Sequence, residues 1–312
     1  MRYPRGLLFI GLLVICTACA TTPAAPKAVS IYDNAGAKAM TAGDKHALHG
    51  CREMALKDYL EAVELFTLSD NQKALATAFN NIGTLYLRDH KPDEAMLYLQ
   101  EAQFLHHLTH GTQGEIRALT NMAAVHIFNA QFQQAEDRLN EAETLAASKK
   151  MFWAPTRLGR INLLLKRGQS RKALEMAAAL EKEQTPPSEG LAISIIYSMG
   201  RAHLALGEYA LGLAQFEKAL KLDTQRSAFR LMADDMKEAA ACLNGLNRHK
   251  EAAWYLCRAL KITALVGGKV QLADLNSRLE SLPQKNTNQA SPVTDFFMHR
   301  WTDGKTFAAP CD

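Results

Sequence analysis

Several things are scarce in this chain of 312 residues. Aromatic residues make up only 7% of it and prolines number 10. Strands favour β-branched and aromatic side chains, so a composition dominated by alanine and leucine argues against sheets and for close-packed helices. With so few prolines and 48% hydrophobic residues, large-scale disorder is excluded and a sizeable core is available. An excess of one charge is missing as well. The formal charge of +4 less Arg2 and Arg5, which lie in a segment expected to be removed, leaves about +2, too balanced for a nucleic-acid binder.

Reaction chemistry is also lacking. There is no His-Glu-x-x-His, no Gly-x-Ser-x-Gly and no paired Cys-x-x-Cys motif. Gly304-Lys305-Thr306 ends like a phosphate-binding loop, but His299 stands where that loop needs its first glycine, and no strand precedes it. His106 and His110 share a helical face beside His107, a spacing that can hold a metal. The reading preferred here is solvated histidines near helix C-terminal carbonyls. Without a convergent acid, base and nucleophile, no catalytic activity is expected, and no cofactor or metal.

The N-terminus sets the compartment. Arg2 and Arg5 precede the apolar run from Leu7 to Ile15, and small residues lead to Cys19. This is a secretory signal over 1–18, too short to span a bilayer. Cys16-Thr17-Ala18-Cys19 resembles the lipobox of bacterial lipoproteins, departing from it at Cys16, where an aliphatic residue is usual. The resemblance implies acyl chains on Cys19, with an ordinary signal peptide and a soluble product as the alternative. Ala20 stands where an Asp would imply retention in the inner membrane, so the implied location is the outer membrane. Residues 19–34, with Thr21-Thr22-Pro23 and Ala24-Ala25-Pro26, read as an extended tether.

A repeat fills most of the remaining chain. The pattern Ala-x-x-x-bulky-x-x-Ala recurs at Ala55/Tyr59/Ala62, Ala95/Leu99/Ala102, Ala135/Leu139/Ala142, Gly212/Phe216/Ala219 and Ala252/Leu256/Ala259, with a degraded copy at Ala173/Ala177/Leu180. Ahead of four copies sits a second helical signature: Phe79/Ile82/Gly83/Tyr86, Leu119/Met122/Ala123/His126, Ile196/Met199/Gly200/His203 and Met236/Ala239/Ala240/Leu243. These residues resemble helix B and helix A of tetratricopeptide repeats, as found in bacterial outer-membrane lipoproteins of that type. The resemblance implies an all-α, right-handed solenoid over 35–282 of about six helix pairs with a period of 38–40 residues.

Details depart from the family. The period is long, and the excess is placed in helix B, running on through Gln103 to Leu108. In the third copy Pro155, Arg157 and Arg160 disturb helix A, with Leu158-Gly159 as a contact shifted by two. In the first copy only Gly43 fits helix A. Leu272, Leu275, Leu279 and Leu282 share a face and predict a capping helix. Residues 283–312 read as a mostly disordered tail, with Phe296, Phe297, Trp301 and Phe307 for docking back or for binding a partner. Cys51, Cys242, Cys257 and Cys311 remain after processing and permit disulfides without naming pairs, Cys242 and Cys257 lying on the two helices of one repeat.

The expected function is a membrane-anchored adaptor that binds a protein or peptide, with a dedicated assembly subunit of one envelope machine as the alternative. In the family, certain helix A positions line a binding groove. Carried over by the repeat register, they are Asn80, Thr84 and Arg88; Arg117 and Thr120; Asn162 and Lys166; Tyr197 and Arg201; Lys237 and Asn244. The set is polar and basic, opposed by Asp234, with apolar patches at Leu87, Ile127, Phe128 and Leu204. It suits an acidic or amide-rich segment. The family's carboxylate clamp is not reproduced, since Thr84 replaces its Asn and Asn81 and Asn121 fit only part of it.

Overall fold

The computed structural model describes residues 30–151, 153–183, 188–266, 269–283 and 299. Among them are thirteen α-helices and no strand: α1 (Ile31–His49), α2 (Arg52–Leu68), α3 (Gln72–Arg88), α4 (Pro92–Leu108), α5 (Thr112–Phe128), α6 (Phe132–Ser148), α7 (Ala154–Lys166), α8 (Ser170–Glu183), α9 (Glu189–Ala205), α10 (Tyr209–Gln225), α11 (Phe229–Gly245), α12 (His249–Val266) and α13 (Lys269–Glu280). The signal segment, Cys19 and the aromatic residues of the tail lie outside the described residues. None of the described helices is long and apolar enough to cross a membrane. The first helix starts inside the expected tether, because Ser30 accepts the Tyr32 N–H and caps it.

One local device sets the spacing. A residue in the left-handed conformation closes the helix before it at Gly50, Asp70, His90, His110, Ala130, Lys150, Gly168, Gly207, Ser227 and Asn247. The next N–H bonds back to a carbonyl five residues earlier, as from Cys51 to His46, Lys91 to Tyr86, Gln131 to His126 and Arg248 to Leu243. This satisfies carbonyls that a helix end leaves orphaned and reverses the chain in three residues. From Gly50 to Lys150 the turns recur every twenty residues. The excess over a shorter repeat is thus shared by both helices of a pair, each 17 residues in α3 and α4, and does not sit in the second helix alone.

Consecutive helices pack as antiparallel pairs, α1 with α2 through α11 with α12. The second helix of each pair turns its small-bulky-small positions inward, with Ala55, Ala62, Ala95, Leu99, Ala102, Phe216 and Ala219 fully buried. Glycines on the first helix make room for the bulky residue. A Cβ at Gly43 would lie 2.5 Å from the Tyr59 ring, at Gly83 2.7 Å from Leu99, and at Gly200 2.8 Å from Phe216. Burying each such side chain contributes about 1.5–3 kcal/mol. The third pair differs from expectation. Pro155 shortens α7 to 13 residues by standing in its first turn. Gly159 faces Leu139 and Thr120 of the preceding pair, where a Cβ would come within 2.9 and 3.4 Å, and not its own partner α8.

After six pairs the array meets its own beginning. Helix α1 touches α11, His49 lies 5.7 Å from the Phe229 ring, and a Cβ at Gly50 would be 3.3 Å from Arg230 and Val266. Asp89 pairs with Arg52 and lies 3.7 Å from Arg230. The Arg88 carbonyl accepts from Arg230 and from Gln271 of α13. Leu272, Leu275 and Leu282 bury the capping helix against the last pair. The solenoid is closed into a ring by this seam.

Candidate functional site: the face of the first helices

The first helices of the six pairs, α1, α3, α5, α7, α9 and α11, lie side by side and expose one continuous face. Their polar side chains are largely spent on one another. Asn81 Nδ2 donates to Asp44 Oδ1 at 3.0 Å, and Asn121 Nδ2 donates to Asn80 Oδ1 at 3.0 Å and to Thr84 Oγ1 at 3.1 Å. Thr120 and Thr156 share a hydrogen bond of 3.0 Å, and Arg201 Nη1 donates to Asn162 Oδ1 at 2.9 Å. Such a ladder fixes the rotation of each pair on the next, since every rung joins side chains about forty residues apart.

Of the expected groove residues, Asn80, Thr84, Arg88 and Arg117 come together around one cavity of about 400 Å3, with Asp44, Tyr59, Asn81, Asn121 and Pro155. The others do not join them. Thr120 at 7% exposure and Asn80, which lies behind the cavity wall at 2%, are buried and cannot meet a partner. Asn162 and Arg201 face each other, and Lys166 is exposed elsewhere. Tyr197 packs edge-on against Phe216 at 5.6 Å. Lys237 pairs with Asp234 at 3.0 Å and with Glu238 at 3.7 Å, and Asn244 accepts from His249. These last two sit beside a separate hollow under α13. Of the apolar patches, Ile127 is buried, while Phe128 is exposed with its ring 5.4 Å from His90.

The cavity has a defined electrostatic pattern. Asp44 is held by the Tyr59 hydroxyl, which donates at 2.8 Å, and by Asn81. Burial, reinforced by Asp44, pushes the Tyr59 phenol far above its ordinary range, so it remains a donor. Arg88 and Arg117 are exposed and have no ion-pair partner among the described residues. Desolvation among the surrounding helices, then the nearby Arg230, lowers the Arg88 pKa, yet a guanidinium stays charged. The cavity can therefore take up an anionic or amide group between two cations and a row of side-chain amides.

Asp44 and Tyr59 were missed as site residues. Aligning Gly43 with Gly83 would have put Asp44 in register with Thr84, but a single matching residue gives no register by itself. Tyr59 occupies the bulky packing position of its helix, a pattern that gives no sign of its hydroxyl's role. The histidines also differ from expectation. His106 is buried at 3% exposure, its ring fitted into the space Gly114 leaves free. Burial, then Arg117, lowers its pKa and keeps it neutral. His107 bonds Glu115, and no group of three or more possible metal ligands occurs among the described residues. Cys242 and Cys257 are both free thiols, so the pair on one repeat is not bonded, whereas Cys51 is in a disulfide. No family model and no curated protein matches the chain.

Proposed function

We propose that this protein is a tetratricopeptide-type interaction scaffold, held at the outer membrane by acyl chains on Cys19, that captures an acidic or amide-rich segment of a protein partner. The observation that carries the reading is the cavity between α1, α3 and α5. There Arg88 and Arg117 present two cations with no ion-pair partner among the described residues, flanked by the amides of Asn81 and Asn121. The only carboxylate in the lining, Asp44, already accepts two hydrogen bonds. A solenoid of helix pairs supplies recognition surface, and nothing on this face brings together a nucleophile with a base. The earlier basic groove thus contracts to its N-terminal third, because Arg201 and Lys237 are committed to neighbours.

The test uses a fluorescein-labelled peptide of alternating Glu and Asn. Wild-type protein should bind it with an affinity that weakens as salt rises. Arg88→Glu combined with Arg117→Glu should weaken binding by about tenfold or more, each inverted contact contributing on the order of 1 kcal/mol. Arg117→Glu alone, at an exposed residue away from the seam, should weaken binding severalfold with thermal stability unchanged. Normal binding by the double variant at low salt would overturn the site. Copurification from cells with both proteins then separates an adaptor, which returns several substoichiometric partners, from a subunit of one machine, which returns a single stoichiometric complex.

A further inference from the structure

The outer side of α4 departs from an ordinary solvated helix face. Its core-facing positions are Ala95, Leu99 and Ala102, all fully buried. At 3.6 residues per turn, Leu97, Phe104 and Leu108 fall on the side directly opposite, within an arc of about 40°. They are 67%, 54% and 58% exposed. Together they form one stripe about 16 Å long, three turns of helix. On α2 the exposed Leu68 has the register of Leu108, and Leu60 is exposed on the same side.

The repeat carries its own control. Helix α6 follows α4 in the same register, each having 17 residues and ending at a left-handed turn residue, His110 and Lys150. At the three equivalent positions it turns Asp137, Thr144 and Ser148 to solvent. The fold therefore does not require apolar residues there. A single exposed leucine is ordinary, whereas three large apolar side chains on one line mark a surface that another molecule covers.

Charge decides what that molecule is. Glu53, Glu61 and Glu64 on α2 and Asp93, Glu94 and Glu101 on α4 are exposed, and Lys57 is the one lysine or arginine among the exposed residues of the two helices. None of the six carboxylates forms an ion pair among the described residues. An anionic bilayer would be repelled by this rim. A second copy laid on the same face about a two-fold axis would set carboxylates against carboxylates. The complement is a helix with an apolar stripe between rows of Lys and Arg, which covers the stripe and meets the acidic rim at once.

We infer that the outer side of α4, extended by α2, docks a cationic amphipathic helix of a partner protein, with Leu97, Phe104 and Leu108 as its seat. This surface lies on the other helix of each pair from the cavity of Arg88 and Arg117, and the inference does not rest on that reading. The scaffold would then hold an acidic segment on one face and a basic helix on the other.

The probe is a fluorescein-labelled helical peptide of leucine and lysine in which every leucine falls on one face, with a scrambled peptide of the same composition as control. Full-length protein should bind the amphipathic peptide about tenfold or more tightly than the scrambled one. Leu97→Asp, Phe104→Thr and Leu108→Ser together, the residues that α6 carries at these positions, should weaken binding by about tenfold or more with the melting temperature unchanged. Glu94→Lys with Glu101→Lys should weaken it by about tenfold at low salt and by less as salt rises. Equal binding by wild type and the triple variant, or equal binding of the two peptides, would overturn the docking face. Self-association of the wild type that the triple variant loses would overturn it in favour of a second copy. Association with phosphatidylglycerol vesicles lost in the same way would overturn it in favour of a membrane. Arg117→Glu should bind this peptide as wild type does, which separates failure here from failure of the acidic-peptide test.

Discussion

Among single residues, Asp235 is the most conspicuous departure from ordinary side-chain chemistry. It is 1% exposed on α11 and faces Asp223 of α10, with Arg226 completing the cluster. Burial first, then the neighbouring Asp223, Asp234 and Glu238, push its carboxyl up to about 9. The folded protein therefore keeps a proton that the unfolded chain sheds above about pH 4. Because the folded state binds more protons, stability falls as pH rises between these limits, by about 1.4 kcal/mol per pH unit from this group. Asp235→Asn keeps a donor for Asp223 and removes the ionisation. Its melting temperature should exceed that of wild type at pH 8 and should depend less on pH between 5 and 8, as followed by circular dichroism. Equal slopes for the two proteins would show that Asp235 ionises in the usual range.

At the scale of the helix, the turns are the informative part. Seven of the ten left-handed turn residues are not glycine: Asp70, His90, His110, Ala130, Lys150, Ser227 and Asn247. Alanine has no side-chain hydrogen bond to compensate, and the left-handed region costs it about 1–2 kcal/mol, against about 0.5–1 kcal/mol of entropy for glycine. Ala130 is exposed, so Ala130→Gly should raise stability by about 0.5–1 kcal/mol, measured by urea denaturation. A loss of stability would mean that the turn geometry is misplaced. These same residues explain what the sequence did and did not disclose. The helix pairs were legible because Ala95, Leu99 and Ala102 are a packing pattern that only two close helices require. The turns were not, because Asp, His, Ala and Lys in succession carry no common chemical mark of a left-handed residue. The site was legible in part. Asn80, Thr84, Arg88 and Arg117 followed from the register, but whether Thr120 or Arg201 pairs with a neighbouring helix depends on small rotations between pairs that no local pattern encodes.

On the scale of the whole molecule, the seam joins residues that stand 142 apart in sequence, Arg88 and Arg230. Its polar centre is Asp89, whose side chain is 11% exposed between Arg52 and Arg230. Replacing it by lysine sets three cations against each other. Asp89→Lys should open the ring and increase the radius of gyration in small-angle scattering, at a cost of about 3 kcal/mol for breaking a largely buried ion pair. A scattering curve identical to that of wild type would show that the apolar contacts of Gly50, Val266 and Phe229 hold the seam alone. A linear solenoid melts inward from its termini, where the last repeat has a neighbour on one side only, and its stability is a sum of local terms. In this protein the first pair has a neighbour on both sides, so among the described helix pairs neither end is left open for fraying to start. Unfolding must first nucleate a break, and the six pairs should then melt as one cooperative unit in place of a graded series.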